Sequence, residues 1–386
     1  MQTYTYLIIG GGMTADAAVK GIRLSDARSK IGLIGDELDP PYSRPPLSKG
    51  LWGELTLDEI WRPTRGRQVE MHLGRRAVQL DPARRLVRDQ KGELYRYDKL
   101  LLAVGGQPRR LPGDDAHVIY YRTLADYRRA RVLADARGEI CIVGAGLIGT
   151  ELAAVMAKRG ARVTLLGTAA WPCASLLPAP VGKALGDYLT SLGVRLESSV
   201  RVQSIARTAN GHELTLLGGR RLQAAQVAAG IGLIPNTDLA QQAGARVTPA
   251  GIVVDASLQT SVAEVWAAGD CTVHHCPALD RPVQSQHEEH ANFSGLAAGR
   301  AMAGKPTPYT ALPYFYSTVG ERGYEGIGLV DTQLDHEAAA PGIYGYFDGG
   351  RLVGVLYWDR PADIERATTL IEARTAPAAA LAALAR

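Results

Sequence analysis

The sequence predicts an α/β protein in which two strand-turn-helix-strand units, the second inserted into the first, precede a smaller α+β domain. Three observations carry this expectation. The apolar run Tyr6-Leu7-Ile8-Ile9 stops at Gly10-Gly11-Gly12 and gives way to an alanine-rich amphipathic stretch over residues 15–28. The hydrophobic period therefore passes from that of a buried strand to that of a helix across a glycine turn. The same order returns with Ile140-Cys141-Ile142-Val143, Gly144-Ala145-Gly146-Leu147-Ile148-Gly149 and a second alanine-rich helix running through Arg159. After Lys305 the pattern becomes alternation: Ile343-Tyr344-Gly345-Tyr346-Phe347 and Leu352-Val353-Gly354-Val355-Leu356 flank Asp348-Gly349-Gly350, the signature of a β-hairpin.

The remaining elements follow in order. Ile31-Gly32-Leu33-Ile34 is a second strand ending at Gly35-Asp36-Glu37, which completes a βαβ unit with two carboxylates at its strand tip. The matching strand of the second unit, residues 163–166, ends instead at Gly167. Residues 105–113, with Pro108 and Pro112, and residues 230–235 read as crossings between the units. The expected domains are residues 1–112 with 236–305, then 113–235, then 306–386, a division in keeping with a chain of this length. A helix over residues 362–373 closes the last domain, and the alanine-rich tail from Ala376 reads as a further helix or a frayed end.

Composition excludes more than it identifies. Hydrophobic residues make up 46% and charged residues 21% of 386, as in ordinary globular proteins. The net charge of +4 is dispersed along the chain, which argues against nucleic acid as a partner. No apolar run approaches the roughly 20 residues of a membrane span, and the first strand begins with no leader before it. Four cysteines without regular spacing (Cys141, Cys173, Cys271, Cys276) suit reduced thiols and a cytoplasmic setting.

Gly10, Gly12 and Ala15 fit the pattern G-x-G-x-x-G/A. Its glycines let the backbone approach a pyrophosphate, whose charge then lies against the N-terminus of the following helix. Asp36 or Glu37, at the next strand tip, is placed to accept hydrogen bonds from an adenosine ribose. Gly144, Gly146 and Gly149 satisfy the stricter form of the pattern. The two units are thus two Rossmann-like dinucleotide-binding domains. At the second tip Gly167 stands where NAD sites often carry a carboxylate, and residues 167–170 offer no Arg or Lys for a 2′-phosphate. The reading leans to NADH and leaves NADPH open.

These two units, the run Leu101-Leu102-Ala103-Val104-Gly105-Gly106 and the element Val265-Trp266-Ala267-Ala268-Gly269-Asp270 together resemble the FAD-dependent pyridine nucleotide reductases. The segment Pro41-Tyr42-Ser43-Arg44-Pro45-Pro46-Leu47-Ser48-Lys49 is similar to that of the ferredoxin and rubredoxin reductases and of the apoptosis-inducing-factor flavoproteins. The resemblance implies an FAD cofactor, with Gly269 and Asp270 at its ribityl and pyrophosphate region and Arg44 near its pyrophosphate. It also implies Lys49 at the flavin N5 edge, paired with Glu151 from the second unit. A lysine ammonium there stabilises negative charge on reduced flavin, and its carboxylate partner offsets the cost of holding a cation in a partly dry site. Gly105 and Gly232, in the two crossings, join the expected cofactor contacts. The implied activity is hydride transfer from NAD(P)H to FAD and single-electron transfer to a ferredoxin or similar small acidic redox protein, by a monomer or homodimer. The bland alternative leaves Lys49 and Glu151 as surface charges.

The stretches Gln284-Ser285-Gln286-His287-Glu288-Glu289-His290-Ala291 and Pro313-Tyr314-Phe315-Tyr316-Ser317 are especially similar to the apoptosis-inducing-factor branch. A helix starting at about His287 would aim backbone N–H groups at the flavin pyrimidine carbonyl. Two departures alter the aromatic surroundings of the flavin: Glu288 and Tyr316 stand where many ferredoxin reductases carry Trp. Other acceptors therefore stay open, namely a rubredoxin or quinone reductase or an NADH oxidase, as does an NADH-sensing flavoprotein that acts through partner association. Cys271, His274, His275 and Cys276 fall close together, and His287 and His290 follow, but structural zinc sites draw ligand pairs from separated segments, so no metal is expected. The pairs Arg75-Arg76, Arg84-Arg85 and Arg128-Arg129 read equally as a docking surface for an acidic partner or as solvated charge.

Overall fold

The computed structural model describes residues 1–113 and 116–386. Chain contacts divide it into two compact units: Met1–Arg44, Thr56–Gln107 and Ile234–Tyr314 form the first, and Pro45–Leu55, Pro108–Leu233 and Phe315–Arg386 the second.

The first unit is built on a seven-stranded sheet. Its centre is the strand Gln2–Ile9, which runs parallel to Ile31–Gly35 on one side and Leu94–Leu102 on the other, with Ile9 level with both Ile34 and Leu102. Tyr4, Leu7, Ile8, Leu33 and Leu100–Leu102 are almost entirely buried, as parallel strands covered on both faces must be. Val265–Ala267 adds a further parallel strand beside Leu100–Leu102, which brings the Gly269-Asp270 element to the same end of the sheet as the first glycine turn. The helix Met13–Arg23 is shorter than the stretch read from periodicity. It stops because Asp26 accepts hydrogen bonds from the backbone N–H groups of Arg28 and Ser29, at 3.1 and 2.9 Å, and so turns the chain toward the next strand. This helix lies against Glu288–Met302 closely enough that a Cβ on Gly299 would meet the Ala18 carbonyl oxygen at 2.1 Å.

In the second unit five parallel strands lie in the order Arg195–Glu197, Arg162–Leu166, Glu139–Val143, Val227–Ala229, Ile119–Tyr120. A three-stranded meander, Val202–Thr208, Gly211–Leu216 and Arg221–Ala224, packs on one face through Ile205, Leu214, Leu216 and the strand residues Cys141, Val143 and Leu166. The C-terminal sheet is five-stranded. Its hairpin joins Ile343–Asp348 to Arg351–Trp358, with Asp348 opposite Arg351 and both turn glycines at positive φ, 58° and 74°. Such a two-residue turn matches the twist of its strands. Ile364–Glu372 and Pro377–Leu384 follow as helices, so the alanine-rich tail is ordered.

The contact-defined units differ from the expected boundaries by a few residues at 107/108 and 233/234, residues 315–386 share a unit with 108–233 instead of standing apart, and two segments change place. Residues 306–314 stay with the first unit, because Tyr309 is buried there, its N–H donating to Ala256 O at 2.7 Å. Residues 45–55 leave the first unit altogether. Tyr127 and Arg131 donate to Leu51 O at 2.8 and 2.9 Å, and the Trp52 ring meets that of Tyr127 edge-on. No helix of the described residues is long and apolar enough to cross a membrane.

Candidate functional site

Each unit places its glycine turn at the carboxyl end of its parallel strands, where open α/β sheets bind ligands. In the first, Gly10 has φ 115°, and a Cβ there would stand 2.1 Å from Ala103 O; only glycine fits. Gly12 is the N-cap of the following helix, has no side-chain cap, and has nothing within 4 Å of where its Cβ would lie. The second turn repeats this. Gly144 has φ 106°, a Cβ on Gly149 would fall 1.8 Å from Gly144 O, and Gly146 is an uncapped N-cap with open space beside it. By contrast Thr123 and Asp363 cap their helices with side chains. Two helices thus start at a glycine that offers no side-chain cap and has open space beside it, an arrangement suited to receive a pyrophosphate. On this ground the turns fit dinucleotides.

Gly10, Gly12, Ala15, Asp36, Glu37, Arg44, Gly105, Gly269, Asp270, His287 and Glu288 lie in the first unit. The two tip carboxylates diverge. Asp36 turns outward to Arg76, 2.7 Å away and largely exposed. Glu37 accepts from Arg44 at 2.5 Å and from the Tyr42 hydroxyl at 2.6 Å. Burial opposes the Arg44 charge, but Tyr42, Glu37 and Asp270 outweigh it and hold the guanidinium above its ordinary pKa. Gly269 takes φ 79° against the Thr14 side chain, and its N–H donates to Ser294 Oγ at 2.9 Å. Gly105, at φ 57°, accepts from Asn236 N at 3.0 Å. His287 is the N-cap of Glu288–Met302, where it was expected, and its ring meets Tyr314 edge-on.

Sequence reading missed two features of this half. Asp16, buried in the first turn of its helix, accepts from Arg62 at 3.0 Å, from Thr64 at 2.6 Å and from Arg67. His290 lies under the Gly269 loop, with Nε2 3.3 Å from Gly269 O and Nδ1 2.8 Å from the Tyr309 hydroxyl, and its ring stacks on His274. Burial first, and His274 second, push its pKa down from 6.5 to about 4. In the sequence His290 stands out only as a neighbour of the Cys271–Cys276 cluster, with nothing to mark its contact with the Gly269 loop.

The second unit holds Lys49, Gly144, Gly146, Gly149, Glu151, Gly232 and Tyr316. Lys49 Nζ is 2.7 Å from Glu151 Oε1, and the Glu151 side chain is 2% exposed. The surface-charge alternative falls, since a buried carboxylate needs a partner. Ser317 Oγ donates to Glu151 Oε1 and Ser48 Oγ to Oε2, both at 2.5 Å. The ammonium stands 5.5 Å from the centre of the Tyr316 ring, a cation–π distance. Neither serine was singled out from sequence, although Ser48 adjoins Lys49 and Ser317 adjoins Tyr316. Gly167 has a packing reason: a Cβ there would stand 2.9 Å from the Cβ of Ala145 in the glycine turn. Gly232, at φ 100°, accepts from the Arg109 N–H at 2.9 Å.

All four thiols are buried and outside any disulfide. Burial pushes Cys141 and Cys271 up to about 12 and Cys173 up to about 11, which disfavours the thiolate in these three. Among the described residues no group of His, Cys, Asp or Glu is arranged to hold a metal. Several of the arginines read as a docking surface are engaged internally: Arg75 with Asp89, Arg76 with Asp36, Arg84 with Asp81.

A family profile described as pyridine nucleotide-disulphide oxidoreductase matches residues 4–292. The ferredoxin–NAD(+) reductase component of the anthranilate 1,2-dioxygenase system of Burkholderia cepacia is 30% identical, over 98% of this chain and 96% of that protein. A putative mitochondrial apoptosis-inducing factor 1 of Drosophila melanogaster is 32% identical, over 85% of this chain and 50% of that protein. Among solved structures, a covalent putidaredoxin reductase–putidaredoxin complex matches with a TM-score of 0.88 and 29% identity, over 97% of this chain and 94% of that one.

Proposed function

The chain belongs to the pyridine nucleotide-disulphide oxidoreductase family, and from that premise we propose that it is an FAD-dependent NAD(P)H oxidoreductase serving a ferredoxin-type iron-sulfur protein. The flavin supplies the redox chemistry when bound, accepting hydride from the nicotinamide and releasing electrons singly. The protein's own task is positioning and electrostatics. Gly10, Gly12 and the helix they open take the pyrophosphate of FAD; Gly144, Gly146 and Gly149 take that of the nicotinamide cofactor. Asp36 and Glu37 address the adenosine ribose of FAD, and Arg44 its phosphates.

The observation that carries the reading is the Lys49–Glu151 pair. A cation held at 2.7 Å by a buried carboxylate has a fixed place and a fixed charge, which is what stabilising negative charge on a reduced cofactor demands. Such a pair is costly to bury for structural ends alone.

We take NADH as the reductant. Gly167 and the absence of Arg and Lys from residues 167–170 favour a cofactor without a 2′-phosphate, since a phosphate needs cationic donors and a ribose hydroxyl does not. Four thiols outside any disulfide suit a reducing cytoplasm, and we place the protein there as a monomer or homodimer. The test is anaerobic stopped-flow reduction by NADH and by NADPH, followed by mixing with a panel of acceptors. Rapid bleaching by NADH and rapid reoxidation by a ferredoxin support the reading; protein that cannot be reconstituted with FAD sinks it.

A further inference from the structure

Glu151 is bonded by three donors, and only one of them, Lys49, belongs to the ion pair. We propose that Ser48 and Ser317 are positioning residues that fix the direction of the Lys49 ammonium by locking the Glu151 carboxylate, an inference that rests on the role given to Lys49 above.

The geometry is specific. Glu151 rises from the helix Leu147–Lys158 that follows the second glycine turn. Ser48 comes from the segment 45–55 and Ser317 from the first strand of the C-terminal sheet, so two distant parts of the chain close on one carboxylate. Both serines are as buried as their acceptor, at 3% and 1% exposure. The terminal torsion of a glutamate is broad and roughly two-fold, so a carboxylate held by a lysine alone turns freely and the ammonium follows it. With Ser48 on Oε2 and Ser317 on Oε1, both oxygens are held and the plane is fixed. Lys49 then has one bonding direction open to it.

The Ser317 hydroxyl donates to Glu151 Oε1 at 2.5 Å, from a position as buried as its acceptor. A plain structural stitch between the C-terminal sheet and the nucleotide domain would need one such bond anywhere along the contact. Two hydroxyls converging on the carboxylate that pairs with Lys49 point to aim rather than adhesion.

The test compares S48A, S317A and S317T with K49A. In S317A, anaerobic hydride transfer from NADH is expected to fall about tenfold, as for a lost hydrogen bond to a charged group, with the NADH dissociation constant unchanged. S317T keeps the hydroxyl and restores the rate, and S48A gives a similar loss from an independent segment. In a K49A background S317A causes no further loss, because both act through the same ammonium. A second readout needs no cofactor: in flavin-free protein, amine labelling of Lys49 followed by peptide mass spectrometry rises several-fold in S48A and S317A, while Lys158 labelling stays constant. Wild-type rates and labelling in both serine variants beside a slow K49A overturn the inference alone. Additive losses in the double variant overturn it in favour of a structural stitch. A K49A protein at the wild-type rate overturns the role of Lys49 and this inference with it.

Discussion

The first and second glycine turns are built alike and end differently. Each has a glycine at φ above 100° where a side chain would strike a carbonyl, and each opens a helix whose N-cap is an uncapped glycine. Past the helix the likeness stops. The first strand tip presents Asp36 and Glu37, each held by an arginine; the second presents Gly167, packed toward Ala145. The difference bears on the proposed assignment, in which backbone at the turns, with Arg44 beside the first, would meet phosphate and side chains at the tips would meet adenosine. The shared chemistry is therefore written as an absence of side chains, and the discriminating chemistry as their presence.

The largest effects should come from filling the turns. Gly10→Ala forces a Cβ to 2.1 Å from Ala103 O at φ 115°, and more than about 3 kcal/mol of folding stability is expected to go, with the bound flavin. Gly149→Ala, 1.8 Å from Gly144 O, is expected to leave flavin content near normal and to weaken NADH binding more than about a hundredfold. Chromophore content and NADH titration separate the two. A G149A protein that sheds flavin yet binds NADH would reverse the assignment of the turns.

The ion pairs of the two units give the next contrast. Glu151 is 2% exposed, and Glu37 and Arg44 are 28% and 21% exposed. Removing one partner of a buried pair costs about 3–5 kcal/mol, and less where the carboxylate keeps part of its solvent. Glu151→Ala is thus expected to lower urea stability more than Glu37→Ala. Equal losses would mean that the first pair is as desolvated as the second.

What was legible in the sequence follows the same division. The turns, their helices and the hairpin at Gly349-Gly350 were readable because local backbone demands leave glycine at fixed spacing. The end of the first helix was not, since periodicity continues past Arg23 and only the Asp26 side chain ends it. The departure of residues 45–55 into the second unit was hidden for a different reason. It depends on Tyr121, Tyr127 and Arg131 reaching the carbonyls of Leu47 and Leu51, contacts that carry no local pattern. Lys49 and Glu151 were reached through resemblance, whereas Ser48 and Ser317 emerge only when three separate segments are brought together.

Acid should attack the first unit through His290. Its folded pKa, about 4, lies below the ordinary 6.5, so above pH 6.5 it is neutral whether folded or unfolded and its full contribution is present. As pH falls from 6.5 toward 4 the unfolded chain takes the proton and the folded one does not, and stability drains away by about 3 kcal/mol in all. Urea unfolding across this window, with flavin release followed alongside because His290 touches Gly269 O, is expected to show the loss in the wild type and a flatter profile in His290→Gln. An unchanged profile would remove His290 as its source.

The smallest effects belong to the strand tips, where the comparison is sharpest. The Asp36–Arg76 pair is exposed at both ends, so Asp36→Asn should change folding stability by less than about 0.5 kcal/mol. If the carboxylate serves the FAD ribose, the flavin dissociation constant should nonetheless rise about fivefold, the value of one hydrogen bond. At the second tip Gly167→Asp alone should not improve NADH binding, because its Cβ would sit 2.9 Å from that of Ala145 and the turn must yield. Relieving that contact in the double variant Gly167→Asp, Ala145→Gly should raise NADH affinity about fivefold and lower that for NADPH, since a carboxylate accepts from a ribose hydroxyl and repels a 2′-phosphate. Titration of both nucleotides against the three proteins decides it. A gain for NADPH would place the adenosine elsewhere and end the analogy between the two tips.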